Sequence, residues 1–264
     1  GGELVRLTTQ GNREAVNLGS IKQQLLARGC RVPLVADVHF NAAVADTAAR
    51  YADKVRVNPG NYVDTARTFK HIDYTDAEYA DELKRLRERF VAFLDICKAE
   101  GKAVRVGVNQ GSLSDRIMSR YGDTPEGMVE SCMEFLRICV AEEFTNVVIS
   151  IKASNTVIMV RTVRLLVAQM EKEGMKFPLH LGVTEAGGAE MGLVKSAAGI
   201  GALLCDGIGD TFRVSLTADP VAEIAAARKI LNALEIEGQC GLQIVSCPTC
   251  GRTKIDLIDL HTRF

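Results

Sequence analysis

Apolar residues recur along this chain with two alternating rhythms. Short β-branched runs, in which successive side chains would face opposite ways, give way to longer stretches with apolar residues three or four apart. The short runs predict strands at Leu4–Thr8, Pro33–Val38, Lys54–Val57, Val104–Val108, Asn146–Ile151 and Leu179–Val183, and a last strand and turn across Leu203–Asp210 and Thr211–Leu216. The longer stretches predict helices at Arg13–Arg28, Ala42–Tyr51, Asp76–Glu100, Thr124–Glu143, Thr156–Gly174, Gly192–Leu203 and Val221–Leu234, and a helical stretch starting at Val63–Phe69. Local chemistry agrees: Asn41 can cap the helix after it, Thr124-Pro125-Glu126 is an N-terminal signal, and Asp219-Pro220 opens the last helix. In Asp76–Glu100, Leu83, Leu86, Phe90, Phe93, Leu94 and Cys97 form one stripe, and the dense charge between them reads as a solvated face.

Strand–helix alternation means a parallel sheet covered by helices. No Gly-x-Gly-x-x-Gly turn or Walker loop marks an open nucleotide-binding sheet. Polar clusters instead follow nearly every strand, which predicts an α/β fold of the TIM-type (β/α) barrel kind with its site at the C-terminal rim. Seven such units are counted where a closed barrel has eight strands, and the chain starts three residues before a strand, so one strand is expected to be missing at the N-terminus. Gly238–Gly241 reads as a linker and Leu242–Val245 as a strand. The barrel is therefore assigned to residues 1–237, and residues 238–264 to the beginning of a second, small unit.

The strands carry a repeated pattern. Val55-Arg56-Val57-Asn58-Pro59-Gly60-Asn61 is nearly copied as Val104-Arg105-Val106-Gly107-Val108-Asn109-Gln110-Gly111, and more faintly as Leu4-Val5-Arg6-Leu7-Thr8-Thr9-Gln10-Gly11. An arginine inside a buried strand is costly unless an anion meets it. Arginines in register at three strand ends predict convergence on a doubly or triply charged ligand, a phosphate ester above all. The competing reading pairs each arginine with a structural carboxylate. Alternation places Arg56 and Arg105 on the face opposite their valine neighbours, pointing into the barrel.

Collected in order, the strand ends supply Arg6; Asp37 and His39; Arg56 and Asn58; Arg105 and Asn109; Lys152, Ser154 and Asn155; Glu185; and Asp210, Arg213 and Ser215. Facing one cavity, these would make it electropositive. Glu185 follows an apolar run, which predicts a partly desolvated carboxyl able to act as an acid, with an arginine partner as the alternative.

Composition changes this picture little. The 264 residues are 47% hydrophobic and 25% charged, as expected of an ordinary globular chain. A net charge of -1 gives no bulk attraction to nucleic acid. No apolar run approaches a membrane span and no signal peptide is read at the start. The cysteines are more informative. Cys30, Cys97, Cys132, Cys139, Cys205 and Cys240 are scattered through helix-like or strand-like sequence, as small buried hydrophobes are. Cys247-Pro-Thr-Cys250 is different, and fits a zinc site, an iron–sulfur cluster or a dithiol in a reducing compartment. As a metal site it is incomplete, because either metal centre wants about four ligands.

Several of these stretches together resemble a known family. Ala36-Asp-Val-His-Phe40, Val55-Arg-Val-Asn-Pro-Gly-Asn61, Arg105-Val-Gly-Val-Asn-Gln-Gly-Ser-Leu113, Ser150-Ile-Lys-Ala-Ser154, Gly182-Val-Thr-Glu-Ala-Gly187, Gly207-Ile-Gly-Asp-Thr-Phe-Arg-Val-Ser215 and Ser246-Cys-Pro-Thr-Cys-Gly-Arg252 are similar, in order, to the 4-hydroxy-3-methylbut-2-enyl diphosphate synthase family. The resemblance implies a barrel joined to a small iron–sulfur domain. It implies an oxidoreductase of the methylerythritol phosphate isoprenoid pathway that opens 2-C-methyl-D-erythritol 2,4-cyclodiphosphate and expels water. Two electrons would come through a [4Fe-4S] cluster from ferredoxin or flavodoxin, in a homodimer whose second subunit brings the cluster over the barrel mouth. The setting would be bacterial cytoplasm, or plastid stroma in a plant. Carried over by motif, Arg6, Arg56, Arg105, Lys152, Arg213 and Ser215 would bind the diphosphate with Asn58 and Asn109 assisting. Asp37 and His39 would lie at the substrate, Glu185 would be the acid beside the departing hydroxyl, and Cys247 and Cys250 would ligate iron.

The chain departs from that family in lacking its first strand and the stretch that would bring a third Cys and a Glu to the cluster. It therefore reads as a piece of a longer protein, with no complete cluster of its own. The charged helix Asp76–Glu100 resembles the larger form of the family, which has an extra domain before the cluster domain. Two other classes remain open on the residues alone. One is an iron-free phosphate-ester barrel, pterin-binding or aldolase-like, with Lys152 as a Schiff-base lysine. The other is a zinc-ribbon binding module on a barrel scaffold.

Overall fold

The computed structural model describes residues 2–63, 73–236, 247 and 250–262. Its strands are Val5–Thr9 (β1), Leu34–Val38 (β2), Lys54–Val57 (β3), Ala103–Asn109 (β4), Val147–Lys152 (β5), His180–Leu181 (β6) and Thr211–Phe212 (β7). The helices are Asn12–Ala27 (α1), Ala42–Ala49 (α2), Asp76–Ala99 (α3), Asp115–Tyr121 (α4), Pro125–Ala141 (α5), Thr156–Lys172 (α6), Ala189–Cys205 (α7), Pro220–Ala233 (α8) and Leu257–Thr262 (α9). Every strand pairing is parallel and follows chain order from β1 to β5. β6 pairs with β7, and a bridge from Ile149 to Leu179 joins them to β5. Neighbours in space are neighbours in sequence, as in a barrel wall, and the order nowhere reverses as it would in an open nucleotide-binding sheet.

The caps are those expected. Asn41 accepts a hydrogen bond from Ala43 N, Thr124 from Gly127 N and Asp219 from Val221 N. Thr75 and Glu78 add a reciprocal capping box at the start of α3. One expectation fails. The run Leu203–Asp210 is not strand: its first residues finish α7, and Gly207 and Gly209, both at positive φ, make the turn into a two-residue β7. α7 lies close against α6, since a Cβ at Gly199 would meet Met159 Cε at 2.7 Å. That close packing offsets the helix-weakening effect of Gly192, Gly199 and Gly201. The sequence also gave no sign of α4, α9 or the short 3-10 turns Pro59–Asn61 and Gln110–Ser112. The helical stretch expected through Phe69 lies, beyond Val63, outside the described residues, as do the Gly238–Gly241 linker and the Leu242–Val245 strand.

The apolar core lies between strands and helices. Val55, Val57, Val104, Val106, Val108, Ile149 and Ile151 turn outward into it and are buried, as is the α3–α5 aromatic cluster of Phe90, Phe93 and Phe135. Phe90 and Phe135 meet edge to face at 4.8 Å between centroids. Outside the wall, a buried polar network fixes α4. Arg116 grips Glu134 of α5 with both terminal nitrogens, at 2.6 and 2.8 Å, and the Tyr79 hydroxyl of α3 donates to the same carboxylate at 2.6 Å. The Arg116 and Arg120 guanidiniums lie 4.7 and 4.1 Å from the Tyr79 ring centroid.

Candidate functional site

The strand positions between the outward valines face the bore. Asp37, Arg56 and Arg105 stand side by side across β2, β3 and β4, and all are buried. Arg56 donates to Asp37 Oδ1 at 2.9 Å and to the Gly107 carbonyl at 2.7 Å. Arg6 meets the other oxygen of Asp37 at 2.9 Å, and His39 Nε2 lies 3.5 Å from that oxygen. One carboxylate thus serves two arginines, and for Arg6 and Arg56 the structural-carboxylate reading is met in the structure. Burial alone would push the Asp37 carboxyl up. The His39 hydrogen bond and the charges of Arg56, Arg6 and Arg105 outweigh it and hold the group well below the usual carboxylate range.

Arg105 and Lys152 are the exceptions. Arg105 is 5% exposed and Lys152 7%, and neither makes a hydrogen bond or ion pair among the described residues. Burial, then the charges of Arg56 and Arg6, push Arg105 down to about 9. Burial, then Arg105, Arg6 and Arg56, push Lys152 well below the ordinary lysine value. Arg213 reaches only Ser215 Oγ, at 2.5 Å, and its Nε is buried without a partner. Among the described residues the bore therefore gathers Arg6, Arg56, Arg105 and Lys152 around one acid, Asp37. Such a cavity attracts a multiply charged anion.

Glycines make room for these side chains. A Cβ at Gly107 would stand 2.5 Å from Arg56 Nε, and one at Gly182 would stand 3.0 Å from Lys152 Nζ. Other expected site residues have structural partners. Asn58 is buried, accepts from Gly60 N at 3.3 Å and donates to Ser112 Oγ at 2.8 Å, tying the β3 and β4 loops together. Asn109 is half-buried at the end of β4. Asn155 caps α6 by accepting from Ile158 N at 3.0 Å, and Ser154 beside it is exposed. Asp210 accepts from Leu179 N at 2.8 Å and so braces β6 against β7. Glu185 is exposed in the turn after β6, at φ 52°. The partly desolvated carboxyl expected there is not found, because the residue sits beyond the strand on the rim.

Two bore residues escaped the sequence reading. His180 of β6 bonds Thr211 Oγ1 at 2.9 Å, and burial and the surrounding cations, led by Lys152, hold its pKa far below the ordinary histidine value. Lys54, pushed down by burial and then by Arg105, shares the Arg56 face. Alternation could have found both: His180 lies between two leucines as Arg56 lies between two valines, and Lys54 is two residues before Arg56.

Cys247 and Cys250 are exposed free thiols. Hydrogen bonds from the backbone and side chain of Arg252 lower the Cys250 pKa, which favours the thiolate that iron requires. As soft donors they fit half of a four-ligand iron–sulfur site. No group of three or more His, Cys, Asp or Glu able to hold a metal occurs among the described residues. No helix among them is long and apolar enough to cross a membrane.

Residues 1–228 match the family described as the GcpE TIM-barrel domain. The chain is 72% identical over 232 residues to the 4-hydroxy-3-methylbut-2-en-1-yl diphosphate synthase (flavodoxin) of Bacteroides thetaiotaomicron, covering 88% of this chain and 38% of that protein. It is 52% identical over 237 residues to the protein of the same name in Akkermansia muciniphila, covering 89% and 40%. To the chloroplastic 4-hydroxy-3-methylbut-2-en-1-yl diphosphate synthase (ferredoxin) of Arabidopsis thaliana it is 53% identical over 232 residues, covering 88% and 31%. The chain thus spans well under half the length of these relatives.

Proposed function

Since the chain belongs to the GcpE TIM-barrel family, we propose that its barrel is the substrate-binding part of a 4-hydroxy-3-methylbut-2-enyl diphosphate synthase. The reaction is reductive opening and dehydration of 2-C-methyl-D-erythritol 2,4-cyclodiphosphate. The observation that carries this reading is the pair Arg105 and Lys152, buried in the bore with no partner of their own. A cyclic diphosphate supplies the anion they lack.

Arg105 and Lys152 take the diphosphate oxygens directly, joined by Arg6, Arg56 and Arg213. Asp37 keeps Arg6 and Arg56 fixed and spread before the ligand arrives, so little ordering remains at binding. His39 lies against the same carboxylate at the open end of β2. Ser215 and Asn109 add neutral donors, and Asn58 holds the loops that carry them. Glu185 stands on the rim, where a proton can be handed to a hydroxyl leaving the substrate.

Residues 1–237 form the barrel and residues 238–264 begin the cluster unit. Cys247 and Cys250 are two of the thiolates that would hold a [4Fe-4S] cluster, which when bound would pass on, one at a time, the two electrons that the donor supplies. The relatives' names carry flavodoxin and ferredoxin, and a protein of that kind is the electron donor. Phe40, Val157, Met191 and Val221 are exposed at or just before the starts of α2, α6, α7 and α8, which ring the barrel mouth. This apolar rim supports a homodimer in which the second subunit covers the site. The protein works in bacterial cytoplasm, or in the plastid stroma if its source is a plant.

The test is anaerobic purification of the full-length protein with metal analysis, alongside Cys247→Ser. Iron and sulfide are expected in the parent, and loss of both iron and turnover in the variant, with the barrel still folded by circular dichroism. Zinc in place of iron, or a variant with unchanged iron and normal turnover, overturns the assignment.

A further inference from the structure

Lys152 ends β5, and its amine is enclosed by cations. Nζ is buried with no hydrogen-bond partner among the described residues, in a slot that exists because residue 182 has no side chain. The charges bearing on it are Arg105 from β4, Arg6 from β1 and Arg56 from β3, with Asp37 from β2 opposing them. His180 from β6 faces the same bore, Arg213 after β7 bonds Ser215, His39 lies beside Asp37, and Glu185 is exposed beyond β6. Asp37 already receives Arg6 and Arg56, so it is not free to serve Lys152 as a counter-ion.

A buried cation without a partner is costly, and the two bare cations differ in how they can relieve the cost. Arginine stays charged, whereas lysine can release a proton. We propose that Lys152 is the proton-accepting member of the site: a neutral amine in the empty bore, and an ammonium once a diphosphate is held there. The inference rests on the reading of the bore as a diphosphate site. Its direction agrees with burial and the three guanidiniums, all of which favour the neutral amine when no anion is present.

The sign follows from linkage. An anion beside Nζ raises the pKa of Lys152, so between the empty and the bound pKa each binding event takes up a proton from solvent. Affinity then falls as pH rises through that window. It is independent of this group below the window, where Lys152 is charged in both states.

The test is nuclear magnetic resonance of the full-length protein with ε-carbon-labelled lysine, titrated with pH. The Lys152 signal is identified as the one missing in both Lys152→Arg and Lys152→Met. Spectra are recorded empty, with the cyclodiphosphate and with inorganic diphosphate. In the empty protein Lys152 should titrate well below the surface lysines, and bound diphosphate should move its midpoint up by about two pH units or more. In Lys152→Arg, which keeps the charge near neutral pH, the fall of affinity with pH below about 9, where Arg105 itself begins to lose charge, should disappear. Lys152 titrating with the surface lysines in the empty protein overturns the inference, and so does a midpoint that stays put when diphosphate binds. If inorganic diphosphate moves the signal and the cyclodiphosphate does not bind, the proposed substrate fails and the inference stands. If neither binds, both fall.

Discussion

Two regions of this molecule bury arginine, and they treat it in opposite ways. Between the outer helices, Arg116 is matched with Glu134 through two hydrogen bonds, and Tyr79 adds a third to the same carboxylate. Charge there closes on itself. In the bore, Asp37 answers Arg6 and Arg56, while Arg105 and Lys152 have no partner among the described residues. The helical network balances the Arg116 charge without any ligand, and the bore leaves Arg105 and Lys152 unbalanced. Burial of arginine alone therefore does not mark a binding site; burial with an unbalanced charge does.

The contrast can be broken most directly at Glu134. Glu134→Gln leaves Arg116 buried beside a neutral amide and should cost about 3–5 kcal/mol of stability, the range for removing one partner of a buried ion pair. Urea unfolding would show it, and diphosphate affinity in the surviving folded protein should not change. A loss below about 1 kcal/mol would mean that the network carries little of the fold.

Arg105→Met is the converse. It removes a cation that no protein group answers, so the empty protein should be as stable as before or more so. Binding of the cyclodiphosphate should weaken by about 3 kcal/mol, on the order of a hundredfold. Calorimetric titration and thermal melts together decide it, and destabilisation with unchanged affinity would reverse the roles given to the two regions.

The arginine-to-lysine changes sharpen the comparison within the bore itself. Arg56→Lys and Arg105→Lys should each weaken binding by roughly 1.5–3 kcal/mol, because lysine keeps the charge and loses the planar fork. Only Arg56→Lys should also lower the melting point of the empty protein, since Arg56 alone holds both Asp37 and the Gly107 carbonyl. Equal ligand-induced rises in melting point for wild type and both variants would move the diphosphate elsewhere.

Much of this was legible in the sequence because strand geometry has a strict period. Val-Arg-Val says which way Arg56 points as soon as the valines are known to be in the core, and the structure puts Val55 and Val57 there. The Arg116–Glu134 pair was not legible, because it depends on α4 folding back against α5, and α4 is a seven-residue helix without a long apolar stripe. His180 was passed over for a different reason. Alternation puts a histidine between leucines on the inner face, but its place among cations appears only once β1, β3, β4 and β5 bring Arg6, Lys54, Arg105 and Lys152 together. Glu185 is exposed because the apolar run before it ends at Val183, where the chain bends outward onto the rim.

The pairing of Asn58 with Ser112 has a consequence for the order in which the molecule assembles. The β3–β4 connection is the longest stretch of chain between adjacent strands of the five-stranded sheet, and Arg56 and Arg105 face each other across this junction. Closing it costs roughly 1 kcal/mol more loop entropy than closing β2 onto β3, a small but directional bias. Backbone contact there is also unforgiving, because a Cβ at Gly60 would fall 1.5 Å from the Ser112 carbonyl oxygen. The cation cluster is thus expected to form late in folding, when a distant segment docks. Pulsed hydrogen exchange during refolding should find the β2 amides protected before those of β4, and the opposite order would place the site at the start of folding.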